Sequence, residues 1–104
     1  MFSFFKSKKE YQDLDADTFK IEMKNEDAII LDVRTAQEFA SGHYMGAKKS
    51  DFLSGEFIQG IEFLDPEKSY YIYCRSGSRS GAACKTLAKT GFSKVFNLKG
   101  GYSK

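Results

Sequence analysis

The stretch from Tyr70 to Ser80 holds the residues best suited to chemistry, because a cysteine stands there between a strand pattern and a helix pattern. The aromatic and β-branched run Tyr70–Tyr73 predicts a buried strand that stops at Cys74. Polar residues and a glycine follow, and a helical pattern then runs from about Ser80 to Thr90. A strand, a tight loop and a helix N-terminus are therefore predicted to meet at one thiol.

The surroundings of Cys74 predict a stabilised thiolate. Backbone N–H groups of such a loop point inward, and a helix N-terminus adds partial positive charge. Arg75 and Arg79 add two formal positive charges. Such surroundings lower the pKa of a cysteine from about 8.5 to roughly 6–7. A buried structural cysteine is the alternative, but glycine and arginine neighbours at a strand end are unusual for that role. We therefore expect Cys74 to be the catalytic nucleophile.

The rest of the loop is expected to bind the substrate. An arginine can hold an oxyanion in a bidentate way, and a solvated loop charge is the alternative for each arginine. The residues predicted to contact the substrate are Arg75, Ser76, Gly77, Ser78, Arg79 and Ser80.

Length and composition indicate one domain, expected over residues 11–104, preceded by an N-terminal segment of residues 1–10. The whole chain has 104 residues, of which 41% are hydrophobic, and this is enough for a core. A net charge of +2 without a basic stripe argues against nucleic acid. The Phe- and Lys-rich start is too short for a signal peptide, so no stable membrane insertion is expected. Two cysteines do not make a disulfide framework, and a cytoplasmic location is predicted.

Strand and helix patterns alternate along the chain, which predicts an α/β fold with a small central parallel sheet of about five strands and helices on both faces. The strands are expected at 11–14, 28–31, near Ala47, at 70–73 and at 95–98. Asp15 is a good N-cap for a first helix, and Thr35-Ala-Gln-Glu38 is a capping box for a second. Ser50 or Asp51 is expected to cap a third.

That third helix is expected to hold Leu53, Phe57 and Ile58, with further packing from Ile61, Phe63 and Leu64. A last helix is expected to end at Gly91 in a left-handed conformation, with Phe92 packing back against it.

Ligands of such sheets bind beyond the carboxyl ends of the strands. Asp32 and Arg34 end one predicted strand and Cys74 ends another, so all three are expected at one rim. The two charges are expected to pair with each other, a structural role, rather than to react. Cys84 falls on an apolar helical stripe, which favours a core residue over a resolving thiol. His43, in a Gly-His turn, is expected to be structural rather than a general base.

Short motifs spread in order along the chain resemble the pattern of rhodanese-like sulfurtransferases. The Cys74 loop resembles their active-site loop, and the other matches are Leu31-Asp-Val-Arg34, Glu38-Phe39, Gly42-His43, Gly46-Ala47, Gly91-Phe92 and Leu98-Lys-Gly-Gly101. The resemblance implies a rhodanese fold in which the Cys74 thiolate takes a sulfane sulfur from thiosulfate, a persulfide or a polysulfide. A thiol, a protein acceptor or another nucleophile then removes that sulfur. No metal or organic cofactor is implied.

The same loop is compatible with two alternatives to sulfur transfer. Cysteine-dependent phosphatases and arsenate-type reductases are the first, and tyrosine phosphatases use a Cys-x5-Arg loop. Only four residues separate Cys74 from Arg79, so the ring is one residue shorter and suits a sulfur atom better than a phosphate. A non-catalytic rhodanese-like binding module is the second, and such modules often lack the cysteine that this chain has.

Overall fold

Five short strands form one sheet at the centre of the molecule, in a computed structural model that describes residues 10–103. The strands are β1 (Gln12–Leu14), β2 (Ala28–Asp32), β3 (Lys48–Lys49), β4 (Ser69–Tyr73) and β5 (Val95–Leu98). Their order is β1-β5-β4-β2-β3, and every neighbouring pair is parallel. The predicted α/β class and the five-stranded parallel sheet are confirmed. The predicted N-terminal segment lies, except for Glu10, outside the described residues.

Four helices connect the strands: α1 (Ala16–Glu22), α2 (Ala36–Ala40), α3 (Glu56–Gly60) and α4 (Ser78–Lys89), with a 3-10 turn at Ile61–Phe63 after α3. The predicted starts of α1 and α2 are confirmed. The Asp15 carboxylate accepts a 2.8 Å hydrogen bond from the Thr18 N–H, and Thr35 and Glu38 form the reciprocal capping box. The predicted end of α4 is confirmed too, since Gly91 has φ +99° and the Phe92 N–H donates to the Leu87 carbonyl.

Two hydrophobic clusters cover the two faces of the sheet. One lies under α3 and α4 and includes Leu31, Val33, Phe57, Ile72, Cys84, Leu87 and Phe92. The other surrounds Phe19 of α1 and includes Ile30, Tyr71, Tyr73 and Leu98. Strands covered on both faces need apolar residues at successive positions, which is why β2 and β4 read as uninterrupted apolar runs.

The prediction for the third helix was wrong at its start. Helix α3 begins at Glu56 with Gly55 as its N-cap, so neither Ser50 nor Asp51 caps it. The Asp51 carboxylate instead accepts the Leu53 N–H at 3.0 Å and closes a turn. A short side chain that bonds its own backbone two residues on favours a turn over a helix.

In the same region, the apolar spacing predicted packed side chains at positions that are exposed in the structure. The Phe52 N–H donates to the Val33 carbonyl, which ties the segment to the end of β2 and leaves the side chain of Leu53 69% exposed. Phe57 is buried as expected, whereas Ile58 is half exposed and Phe63 is 81% exposed. A helix of one turn cannot bury a whole apolar stripe.

The sheet register brings the predicted site residues to one rim. Asp32, the last residue of β2, is paired with Tyr73, the last residue of β4. Cys74 and Arg34 therefore leave the sheet at the same edge, as the strand ends predicted. None of the helices found between residues 10 and 103 is long and apolar enough to cross a membrane.

The central position of Phe19 gives a test of the packing. Its ring is fully buried and meets Tyr71 edge to face at 5.7 Å, so Phe19→Ala leaves a cavity. We expect a loss of about 3–5 kcal/mol in the free energy of unfolding. Phe63→Ala is the matched control, because removing an exposed ring should change the free energy of unfolding by no more than about 0.5 kcal/mol. Urea denaturation of both variants measures the difference, and equal losses would contradict this account of the core.

Candidate active site

The sulfur of Cys74 lies at the centre of the loop between β4 and α4. The residue is fully buried, and its Sγ accepts hydrogen bonds from the Gly77 N–H at 3.1 Å and from the Ser80 N–H at 3.3 Å. The Ser80 hydroxyl donates a third at 3.3 Å. Donors on several sides of one sulfur stabilise its negative charge.

Burial and hydrogen bonding act in opposite directions on the Cys74 thiol. Burial raises its pKa, while the Ser80 hydroxyl and the N–H groups of Ser80, Ser76 and Gly77 lower it. The hydrogen bonds prevail, so the pKa of Cys74 lies below its ordinary value. The pKa of Cys74 is therefore lowered, as predicted. The groups that lower it most are the loop donors rather than Arg75 and Arg79.

Gly77 makes the loop tight enough to surround the sulfur. Its φ of +100° turns the chain directly into α4, which begins at Ser78, two residues earlier than predicted. A Cβ at Gly77 would lie 3.5 Å from the backbone at Leu98 and Gly100, so the space allows a side chain and the left-handed backbone disfavours one. The early helix start points the N-terminus of α4 toward Cys74.

Arg79 is held by a carboxylate that the sequence interpretation did not include in the site. Its two terminal nitrogens donate to the two Glu38 oxygens at 2.8 and 3.2 Å. The Arg79 bridge holds the pKa of Glu38 at about 2. Glu38 is therefore both the capping residue of α2 and the partner of the loop, and only the capping role has a signature in the sequence. The side chain of Arg75, by contrast, is exposed.

Asp32 and Arg34 form the buried pair that the sequence predicts. The Arg34 guanidinium donates to both Asp32 oxygens, with distances from 2.7 to 3.1 Å, and also to the Gly42 carbonyl at 2.6 Å. Hydrogen bonds to Asp32 raise the pKa of Arg34, so the guanidinium stays charged although it is buried. Neither forms a hydrogen bond to Cys74, so their effect on the sulfur is indirect.

The other two candidates lie outside the reacting loop. Cys84 is fully buried in the cluster beneath α4, as predicted for a core residue, and burial raises the pKa of its thiol, which keeps it neutral. His43 stacks on the Phe39 ring at 3.6 Å, and its Nδ1 lies 2.8 Å from the Phe39 carbonyl oxygen. Within residues 10–103, no group of three or more His, Cys, Asp or Glu side chains could hold a metal ion.

The fold and the site together are a parallel α/β sheet with a cysteine whose sulfur accepts N–H donors from the loop after β4. Residues 15–104 match the family model of the rhodanese-like domain. The chain belongs to the rhodanese-like domain family, which the motif resemblance had predicted.

Two curated relatives are each 38% identical to the chain. One is the uncharacterized protein YqhL of Bacillus subtilis, matched over 74% of this chain and 60% of its own length. The other is the thiosulfate sulfurtransferase GlpE of Pseudomonas putida, matched over 76% of this chain and 70% of its own. A crystal structure of a rhodanese-related protein from Thermoplasma volcanium superposes with a TM-score of 0.77 at 25% identity, covering 88% of this chain and 86% of that chain.

The hydroxyl donor to Cys74 gives a first test of the site. Ser80→Ala removes one hydrogen bond to the thiolate and keeps the Ser80 N–H, so we expect the pKa of Cys74 to rise. Loss of a hydrogen bond to a charged group should raise the midpoint of iodoacetamide alkylation by about one pH unit. Peptide mass spectrometry follows Cys74 and Cys84 separately. A midpoint equal to that of the wild type would show that this hydroxyl does not stabilise the thiolate.

The Glu38–Arg79 bridge predicts a pH dependence of stability. Because the pKa of Glu38 is lower in the folded chain than its ordinary 4.5, the bridge contributes fully above about pH 5 and is lost as the pH falls toward 2. Solvent screening limits the contribution to about 1 kcal/mol.

The variant Glu38→Gln should therefore be less stable than the wild type at pH 7, and the difference should shrink below about pH 5 and nearly vanish at about pH 2. The exposed Glu62 supplies the matched control, since Glu62→Gln should follow the wild type at every pH. Urea denaturation across this range measures both, and a pH-independent loss in Glu38→Gln would contradict the assignment.

Proposed function

We propose that this protein is a sulfurtransferase that moves a sulfane sulfur through a persulfide on Cys74. The observation that carries the proposal is the buried Cys74 sulfur, which accepts hydrogen bonds from Gly77 and Ser80 in a loop of the rhodanese-like family. The name of the GlpE relative, thiosulfate sulfurtransferase, supports the same chemistry. We assign the role of nucleophile to Cys74.

The first step is attack of the Cys74 thiolate on the outer sulfur of the donor. A new S–S bond forms at Cys74 while the donor's own S–S bond breaks, and its electron pair leaves with sulfite from thiosulfate or with a thiolate from a persulfide. No proton has to move when Cys74 is already ionised, which is what its lowered pKa provides. The loop N–H groups then bind the terminal sulfur.

The second step returns the enzyme to its starting state. A thiol, a protein thiol or another nucleophile such as cyanide attacks the terminal sulfur of the persulfide. The S–S bond at Cys74 breaks, and the Cys74 thiolate forms again within the same donors. The proposed partners are therefore a small sulfur donor and a thiol or protein acceptor, and the proposed setting is a reducing cytoplasm in which Cys74 and Cys84 remain free thiols.

The remaining loop residues take different parts in this proposal. Ser76, Gly77 and Ser80 supply N–H donors to the sulfur. Exposed Arg75 is the cation available to an anionic donor, while the charge of Arg79 is largely offset by Glu38. Ser78 begins α4 and contributes through its backbone position at the helix N-terminus.

The Glu38–Arg79 bridge also favours sulfur over phosphate. A phosphatase loop needs its arginine to hold two oxygens of the phosphate. In this loop both terminal nitrogens of Arg79 are occupied by Glu38, and the loop is one residue shorter than the Cys-x5-Arg pattern. The same lowered thiol pKa is expected in either class, so this geometry is the feature that separates them.

Incubation with thiosulfate or polysulfide should add the mass of one sulfur to the Cys74 peptide. Wild-type protein should then form thiocyanate from thiosulfate and cyanide, and Cys74→Ser should abolish that reaction while retaining the fold. Cys84→Ala is the matched control and should keep most of the activity, because Cys84 lies in the core, where burial raises the pKa of its thiol and keeps it neutral.

The same preparations are tested for hydrolysis of p-nitrophenyl phosphate, which we expect to be negligible. Robust hydrolysis that disappears in Cys74→Ser would promote the phosphatase alternative. Thiocyanate formation at the wild-type rate in Cys74→Ser would reject Cys74 as the nucleophile.

A further inference from the structure

The segment that follows β5 lies directly against the backbone of the Cys74 loop. At Gly101, a Cβ would lie 1.9 Å from the Arg75 carbonyl oxygen and 2.6 Å from the Ser76 nitrogen. Both atoms belong to one peptide unit, and backbone atoms cannot move aside as the end of a flexible side chain can. The next residue adds a hydrogen bond, since the Tyr102 N–H donates to the Cys74 carbonyl at 2.9 Å.

The ring of Tyr102 is held in place by the buried pair at the end of β2. The guanidinium carbon of Arg34 lies 4.4 Å from the centroid of the Tyr102 ring, a distance at which a cation and an aromatic face attract. Tyr73 stacks on the same ring at 5.6 Å, and Tyr44 contacts it at 4.7 Å. Because Asp32 fixes Arg34, the position of Tyr102 is set by the core of the sheet.

We propose that Gly101 and Tyr102 are positioning residues that hold the Arg75–Ser76 peptide in its place in the reacting loop, so that the Gly77 N–H stays directed at the sulfur of Cys74. Gly101 lets the two backbones touch, and Tyr102 prevents their separation. The Asp32–Arg34 pair then acts on Cys74 through Tyr102, without a direct contact. The Gly77 N–H, next along the loop, donates to the Cys74 sulfur at 3.1 Å, and the pKa of that thiol is lowered.

The neighbouring glycine separates this role from a purely conformational one. Gly100 and Gly101 share a φ of +86°, a backbone region that side chains disfavour. A Cβ at Gly100 would meet nothing within 4 Å, whereas one at Gly101 would collide with the loop. Alanine therefore imposes a similar backbone strain at both positions, but it displaces the Arg75–Ser76 peptide only from position 101.

The test compares Gly101→Ala with Gly100→Ala. Each protein is alkylated with iodoacetamide across the pH range, and the Cys74 peptide is quantified by mass spectrometry. We expect Gly101→Ala to raise the alkylation midpoint by about one pH unit and to slow sulfur transfer at least about tenfold. Gly100→Ala should lower the thermal midpoint of unfolding and leave the alkylation midpoint where it is in the wild type. Equal alkylation midpoints in the two variants would overturn the proposal.

A second pair keeps the proposal testable if Gly101→Ala does not fold. Tyr102→Phe preserves the aromatic face that Arg34 and Tyr73 contact, and Tyr102→Leu removes it. We expect the alkylation midpoint of Tyr102→Phe to match the wild type and that of Tyr102→Leu to rise. Equal midpoints in this pair would also overturn the proposal.

The catalytic consequence rests on the proposed sulfur transfer, but the alkylation readout does not, since it needs no sulfur donor. A wild-type protein that shows the expected midpoints without sulfur transfer would reject the proposed function alone. Sulfur transfer with unchanged midpoints in Gly101→Ala and Tyr102→Leu would reject the positioning role alone.

Discussion

The hydrogen bonds to the buried sulfur of Cys74 are the interactions on which the rest of the loop depends. Removing a thiolate from water is unfavourable, and burial by itself would make this thiol neutral and unreactive. Cys84 shows that outcome in the same chain, because it is equally buried and burial raises the pKa of its thiol. The difference between the two residues is the set of donors around Cys74, which a loop at a helix N-terminus can provide and the interior of α4 cannot.

Two arginine–carboxylate pairs surround that loop, and both limit the positive charge near the sulfur. Arg34 is bound to Asp32 in the interior, and Arg79 is bound to Glu38 at the surface. A buried charge is tolerated when its hydrogen bonds are satisfied, so these pairs give the rim a fixed shape rather than a strong field. The stabilisation of an anion is left mainly to the Ser80 hydroxyl and the backbone N–H groups of the loop, which are oriented in advance by the fold and need no reorganisation when charge develops on sulfur.

The topology explains why residues distant in the chain meet at the loop. Central strands β4 and β2 end side by side, with β5 on the other side of β4. The segments that leave β2, β4 and β5 therefore converge at one edge, as parallel strands require. The capping residue of α2 reaches Arg79 in this way, and the turn after β5 reaches the backbone of Arg75.

The sequence by itself determined the strands, the caps of α1 and α2, and the position of Asp32 and Cys74 at one rim of the sheet, because these follow from local periodicity, short-range capping and the order of strands and helices. Tertiary structure decided the rest. Glu38 reads as a cap in the sequence, and Gly101 reads only as part of the Leu98-Lys-Gly-Gly101 motif, but each contacts the loop across a long sequence separation that no local pattern encodes. The exposure of Leu53 was decided by the backbone hydrogen bond between Phe52 and Val33, which overrode apolar spacing.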